Sequence, residues 1–123
     1  MKYITSEGRM SSPELQADWK NAEVFDKIRV GRIGVYFPSG LSVRHVPYSA
    51  ADRVFIRIHE VNGKLCCGSA KFYYFRIVFV KDGEEFADYI TENEELANAA
   101  LKLIAERAPE INIGFVSSDV NKP

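Results

Sequence analysis

Only two cysteines occur in the 123 residues, and they are adjacent, Cys66 and Cys67. Neighbours on a strand point to opposite faces, so a bond between them is awkward and the chain carries no disulfide framework. With no other Cys and only two His, thiolate zinc sites lack the further ligands they need, and a metal site would have to draw on scattered carboxylates. An excess of one charge is missing too. Sixteen basic against 17 acidic residues leave a net charge of −1, which provides no bulk field for a polyanion and disfavours nucleic acid as a partner. No stretch approaches the roughly 18 uninterrupted apolar residues of a membrane span, and Met1–Arg9 has no apolar leader segment. The chain contains no glycine-rich dinucleotide or phosphate loop, nucleophile elbow, H-E-x-x-H or paired-carboxylate motif. These absences predict a cytosolic, non-catalytic protein without metal or cofactor.

What is present is a chain of ordinary single-domain size with a 46% hydrophobic share, enough for a real core. Residues 1–11 lack periodicity and read as an arm. Ser12-Pro13-Glu14 is a helix start, with Ser as N-cap and Pro at the first helical position. It predicts a helix over 13–22 with Leu15 and Trp19 on its apolar stripe. Residues 1–23 therefore form an N-terminal arm and helix, 24–115 the domain, and 116–123 a frayed tail.

From Val24 to Thr91 short turn signals recur, and each predicts a strand register. A Gly31-Arg32 loop sets Val30 opposite Ile33 and Ile28 opposite Val35. A Pro38-Ser39-Gly40 turn sets Phe37 opposite Leu41 and Val35 opposite Val43, which leaves Asp26 and His45 as polar exceptions on an apolar face. Val54, Ile56 and Ile58 alternate along the next strand. Asn62-Gly63 predicts a two-residue hairpin with His59 opposite Cys66, and Asp82-Gly83 a second with Phe79 opposite Phe86 and Phe75 opposite Ile90. Asn93 then caps a helix carrying Leu96, Ala100, Leu103 and Ile104 at helical spacing until Pro109 stops it. Ile111–Phe115 alternates and can pack along a sheet edge.

Seven antiparallel neighbours followed by one amphipathic helix resemble the pleckstrin-homology (PH) order. Lys27-Ile28-Arg29-Val30-Gly31, Val46-Pro47-Tyr48 before a small-residue corner, and the Asp82-Gly83 hairpin leading to a capping helix are similar to small bacterial PH-like domains of unknown function. The resemblance covers Val24 to Phe115. It implies a mainly β fold, a bent antiparallel seven-stranded barrel capped by a C-terminal α-helix. Some PH domains bind phosphoinositides through basic residues of the first strands, which here implies Lys27, Arg29 and Arg32 as an anion or acidic-lipid site. The Gly31-Arg32 loop is too short to enclose a headgroup.

Two surfaces stand out instead. Arg53, Phe55, Arg57 and His59 share the non-core face of one strand as a basic and aromatic stripe. Phe72, Tyr74, Arg76, Val78 and Val80 make the non-core face of the next strand largely apolar, and the predicted register adds Ala87 and Tyr89. A strand apolar on both sides must be covered, either by the Leu15/Trp19 helix or by a second copy. The expected contact residues are therefore Arg53, Phe55, Arg57, Phe72, Tyr74, Val78 and Tyr89, with a protein partner or self-association as the expected role. A His59–Cys66 pair would be the only nucleophilic candidate.

Overall fold

The computed structural model describes residues 3–5, 8–10, 12–65 and 68–114, with side chains for 12–60 and 72–114. Ten strands and two α-helices follow in the order β1 Tyr3–Thr5, β2 Gly8–Met10, α1 Pro13–Asn21, β3 Glu23–Phe25, β4 Ile28–Val30, β5 Gly34–Ser39, β6 Ser42–Pro47, β7 Arg53–Leu65, β8 Gly68–Lys81, β9 Glu84–Thr91, α2 Glu94–Arg107 and β10 Asn112–Gly114. They build two sheets, one ordered β2-β1-β6-β5-β4-β3 and the other β10-β7-β8-β9. No described strand belongs to both, so the sheets do not close into the expected barrel. The predicted arm is partly sheet, since β1 runs parallel to β6 at Tyr3 and Val43. The alternating tail segment does pack on an edge, as β10 runs parallel beside β7.

Both helices begin where their caps predict. The Ser12 hydroxyl accepts from the Leu15 amide and Pro13 stands at the start of α1, while the Asn93 side chain accepts from the Leu96 amide at the start of α2. α2 lays Ala97, Ala100, Leu101 and Ile104 against inward residues of both sheets, among them Ile28, Val30, Val35, Val54, Ile56, Ile77 and Phe79. Each such large side chain withdrawn from water contributes about 1.5–3 kcal/mol.

Three turns and one strand register differ from the sequence reading. The β4–β5 loop is Gly31–Gly34, closed by the Gly31 amide donating to the Gly34 carbonyl at 2.8 Å, so Val30 faces Val35 rather than Ile33. The β5–β6 turn is Gly40-Leu41, with Gly40 at φ +63°, and Ser39 pairs with Ser42. That three-residue shift in pairing flips β6, so Val46 enters the core and His45 lies opposite Tyr36. The long hairpin continues past Asn62-Gly63, where Asn62 pairs with Lys71 and Gly63 with Ala70, as far as the pairing of Leu65 with Gly68. His59 accordingly faces Tyr74, not Cys66; Cys66 and Cys67 lie outside the described residues.

The fourth difference is a bulge. Lys81 pairs with Glu84 as predicted, but Phe79 pairs with Ala87 and Val80 with Glu85, which leaves Phe86 as an extra residue on β9. One extra residue reverses the faces beyond it. Asp88, a polar residue where the alternation of Phe86 and Ile90 calls for an apolar one, therefore points outward, Thr91 rather than Ile90 faces Phe75, and Tyr89 turns into the core at 8% exposure. The Tyr89 hydroxyl donates to Asp26 Oδ2 at 3.0 Å and accepts from the Lys27 amide at 3.3 Å, tying β9 to the β3–β4 turn. Burial and the Asp26 carboxylate push its pKa up to about 12.

α1 covers the outer face of the larger sheet, not β8: Leu15 and Trp19 pack with Tyr36 and Val43. Its buried Asp18 accepts from the Arg32 amide at 2.7 Å, the Ile33 amide at 3.1 Å and the Tyr36 hydroxyl at 2.7 Å. Three donors satisfy a carboxylate that burial alone would penalise. His45, buried beside it, stacks on Tyr36 with ring centroids 4.5 Å apart, and its Nδ1 has no hydrogen-bond partner. Desolvation lowers its pKa below the ordinary 6.5 and outweighs the opposing pull of Asp18.

Two predictions follow from this packing. Asp18→Ala strands two loop amides and a buried hydroxyl and should cost at least about 2 kcal/mol in urea unfolding, whereas Leu41→Ala, at a fully exposed turn, should stay within about 0.5 kcal/mol. Because the folded chain binds the His45 proton less readily than the unfolded chain, stability should fall as pH drops below 6.5. That component should be absent in His45→Phe, read as the difference between the two unfolding midpoints across pH 5–8.

Candidate functional site

β8 lies between β7 and β9, and its outward face is the centre of the surface the sequence singled out. The register sets Arg53, Val80 and Glu85 in one row across the three strands, Phe55, Val78 and Asp88 in the next, and Arg57, Arg76 and Ile90 in a third. His59 and Tyr74 form a fourth row of two strands only.

The first rows are closed by charge. The Arg57 guanidinium reaches over β8 to Glu85, with Nη1 donating to Oε1 at 3.1 Å and Nη2 to Oε2. Its hydrogen bonds hold the Glu85 carboxyl below the usual carboxylate range and raise the Arg57 pKa. The Arg53 and Arg57 guanidiniums lie 4.7 and 5.2 Å from the centre of the Phe55 ring. Under these stems Val78 is only 1% exposed and Val80 is buried. Arg53, Phe55 and Arg57 are thus brought together as expected, but as a roof over Val78, which is not itself available for contact.

Past the roof the cover ends. Arg76 Nε stands 3.0 Å from Asp88 Oδ2 as an ion pair without the alignment of a hydrogen bond. His59, Tyr74, Arg76 and Ile90 line a concavity of about 280 Å³ in which the buried His59 Nε2 has no partner. Ile90 is 50% exposed and Phe72 40% on this side, and Tyr73 is 45% exposed on the other. β9 ends at Thr91 opposite Phe75, and β10 covers β7 only at Arg53–Phe55. From His59 and Tyr74 to the Leu65–Gly68 pairing, β7 and β8 therefore continue as a two-stranded ribbon among the described residues.

Of the expected contact residues, Phe72 and Tyr74 lie on this ribbon, while Tyr89 is removed to the core by the bulge and Ile90 stands on the outer face in its place. The signal for Ile90 was the polar Asp88 breaking the apolar alternation, which a one-residue bulge resolves. Lys27 and Arg29 share a separate groove of about 230 Å³ with Trp19, Asp26 and Phe37, and Arg32 is not among its lining residues. Arg29 is already engaged, 3.8 Å from the Trp19 ring and donating to the Trp19 carbonyl. Among the described residues no cluster of three or more His, Cys, Asp or Glu could hold a metal ion, and no helix is long and apolar enough to cross a membrane.

The roof and the strand beneath it should differ sharply in stability cost. Glu85→Gln removes a partly exposed pair and should cost no more than about 1 kcal/mol, shrinking with added salt. Val78→Ala should cost about 1.5–3 kcal/mol and be insensitive to salt. Urea titrations at low and high ionic strength separate the two.

Neither a curated protein nor a solved structure matches the chain. A family described as a domain of unknown function matches residues 1–122, nearly the whole length, so the protein belongs to that family, DUF6709.

Proposed function

We propose that this protein is a non-catalytic interaction module that self-associates through the distal β7–β8 ribbon. The observation that carries this reading is the ribbon itself. A two-stranded ribbon is marginal in water on its own, yet this one presents Phe72 on the face that Ile90 of β9 flanks and Tyr73 on the other, each 40% exposed or more. Covering them on association removes the apolar area that the rest of the molecule leaves open. Both signs of charge occur along the same face, in Arg57, Arg76, Glu85 and Asp88, so it does not repel a second copy as a face of one sign would.

The fold fits a carrier of contacts. The succession of a β3–β6 meander, a β7–β9 meander and then α2 supports reading the domain as PH-like, a scaffold on which surfaces rather than enclosed sites vary. The two adjacent cysteines and the lack of a disulfide framework support a reducing, cytosolic setting.

Sedimentation velocity tests the reading. The wild-type chain should shift from monomer to dimer as its concentration rises from micromolar to several hundred micromolar, and Phe72→Ser combined with Ile90→Ser should move that transition to higher concentration without changing the far-ultraviolet circular dichroism. A wild-type chain that stays monomeric throughout sinks it.

A further inference from the structure

The outward face of β8 sets a projection beside a recess. Phe72, Tyr74 and Arg76 alternate onto that face, with His59 opposite Tyr74 and Ile90 opposite Arg76. His59, Tyr74, Arg76 and Ile90 line the concavity of about 280 Å³, and a cavity of about 150 Å³ is enough to admit a benzene ring. The lining suits an aromatic guest. The Arg76 guanidinium offers a cation–π contact, the His59 and Tyr74 rings offer stacking, and Ile90 supplies an apolar wall. Among the large apolar side chains exposed in the described residues, Phe72 and Tyr73 are the aromatic ones. Phe72 is the one on this face, about 7 Å along β8 from Tyr74, and it is not part of the lining.

We propose that Phe72 of one copy inserts into this concavity on a second copy and that the second copy's Phe72 is received in return. This rests on the self-association reading and states how it is achieved. A two-fold axis lying in the plane of contact, across β8 between Phe72 and the concavity, brings ring onto recess twice. The two β8 strands then run antiparallel, one over the other, with the outer faces stacked at about 10 Å as packed sheets are. One contact of this kind covers Phe72 and Ile90 together, the exposed apolar side chains of this face. Arg57–Glu85 and Arg76–Asp88 close within each protomer, so insertion leaves none of these four charges unpaired.

Sedimentation velocity on the full chain tests the mode separately from the reading it rests on. Phe72→Ala removes the projection and keeps the recess, whereas Ile90→Trp fills the recess and keeps the projection. Each should raise the dimer Kd by about tenfold or more. Mixed in equal amounts they should dimerise at a concentration where each alone is monomeric, because Phe72 of the Ile90→Trp chain meets an open recess while the filled recess meets only an alanine. On the wild-type dimer, half of it isotope-labelled, filtered nuclear Overhauser spectra should connect the Phe72 ring to the Ile90 methyls. Within one chain these residues stand about 13 Å apart, since Ile90 pairs with Arg76, four residues along β8 from Phe72. A wild-type monomer at all concentrations overturns both proposals. A wild-type dimer that lacks these connections, with no recovery on mixing the two variants, overturns the insertion alone.

Discussion

The fold depends on one strand that must be kept dry on both faces. On β8, Phe75, Ile77 and Phe79 face the core while Val78 and Val80 face the other way, and all five are buried. The inner face is covered by hydrophobic packing from α2 and the opposite sheet. The outer face is crossed by the side chain of Arg57, whose head stays partly in water and is held across the strand by Glu85, with Arg53 over the neighbouring Phe55 ring. The ion pair thus matters less for its own energy, which exposure keeps small, than for holding the stems over the valines.

That division explains where the proposed interaction surface falls. The roof needs three strands, because its acid stands on β9 and its base on β7. Where β9 stops at Thr91 its row of acids stops with it, and the same strand that is dry at Val78 becomes exposed at Phe72. The surface is the continuation of the protected strand beyond its protection.

Much of this was legible in the sequence, and the failures share a physical cause. Both helix caps, the inward alternation of Val54 and Ile56, the Asp82-Gly83 turn and the edge role of Asn112–Gly114 follow from local chemistry. Register does not. Gly31-Arg32 and Asn62-Gly63 satisfy a turn's local demands, yet Gly31 serves a four-residue loop tied down by Asp18 from α1, and Asn62-Gly63 lies within a ladder that neighbouring pairs hold straight. The bulge at Phe86 is likewise decided by what the two faces beyond it must do, with Tyr89 reaching Asp26 on the other sheet. Such constraints arise from residues far apart in the chain, and a two-residue motif cannot encode them.

The contact between α1 and the β4–β5 loop has a consequence for how this family can vary. A Cβ placed on Gly31 would stand 2.3 Å from Asp18 Oδ2, so any side chain there displaces the carboxylate that satisfies the loop amides. Neither position is free to drift alone. In an alignment of relatives, positions 18 and 31 should covary, glycine accompanying the acid and larger residues appearing only where the acid has gone. The helix and the loop would then be inherited as one unit.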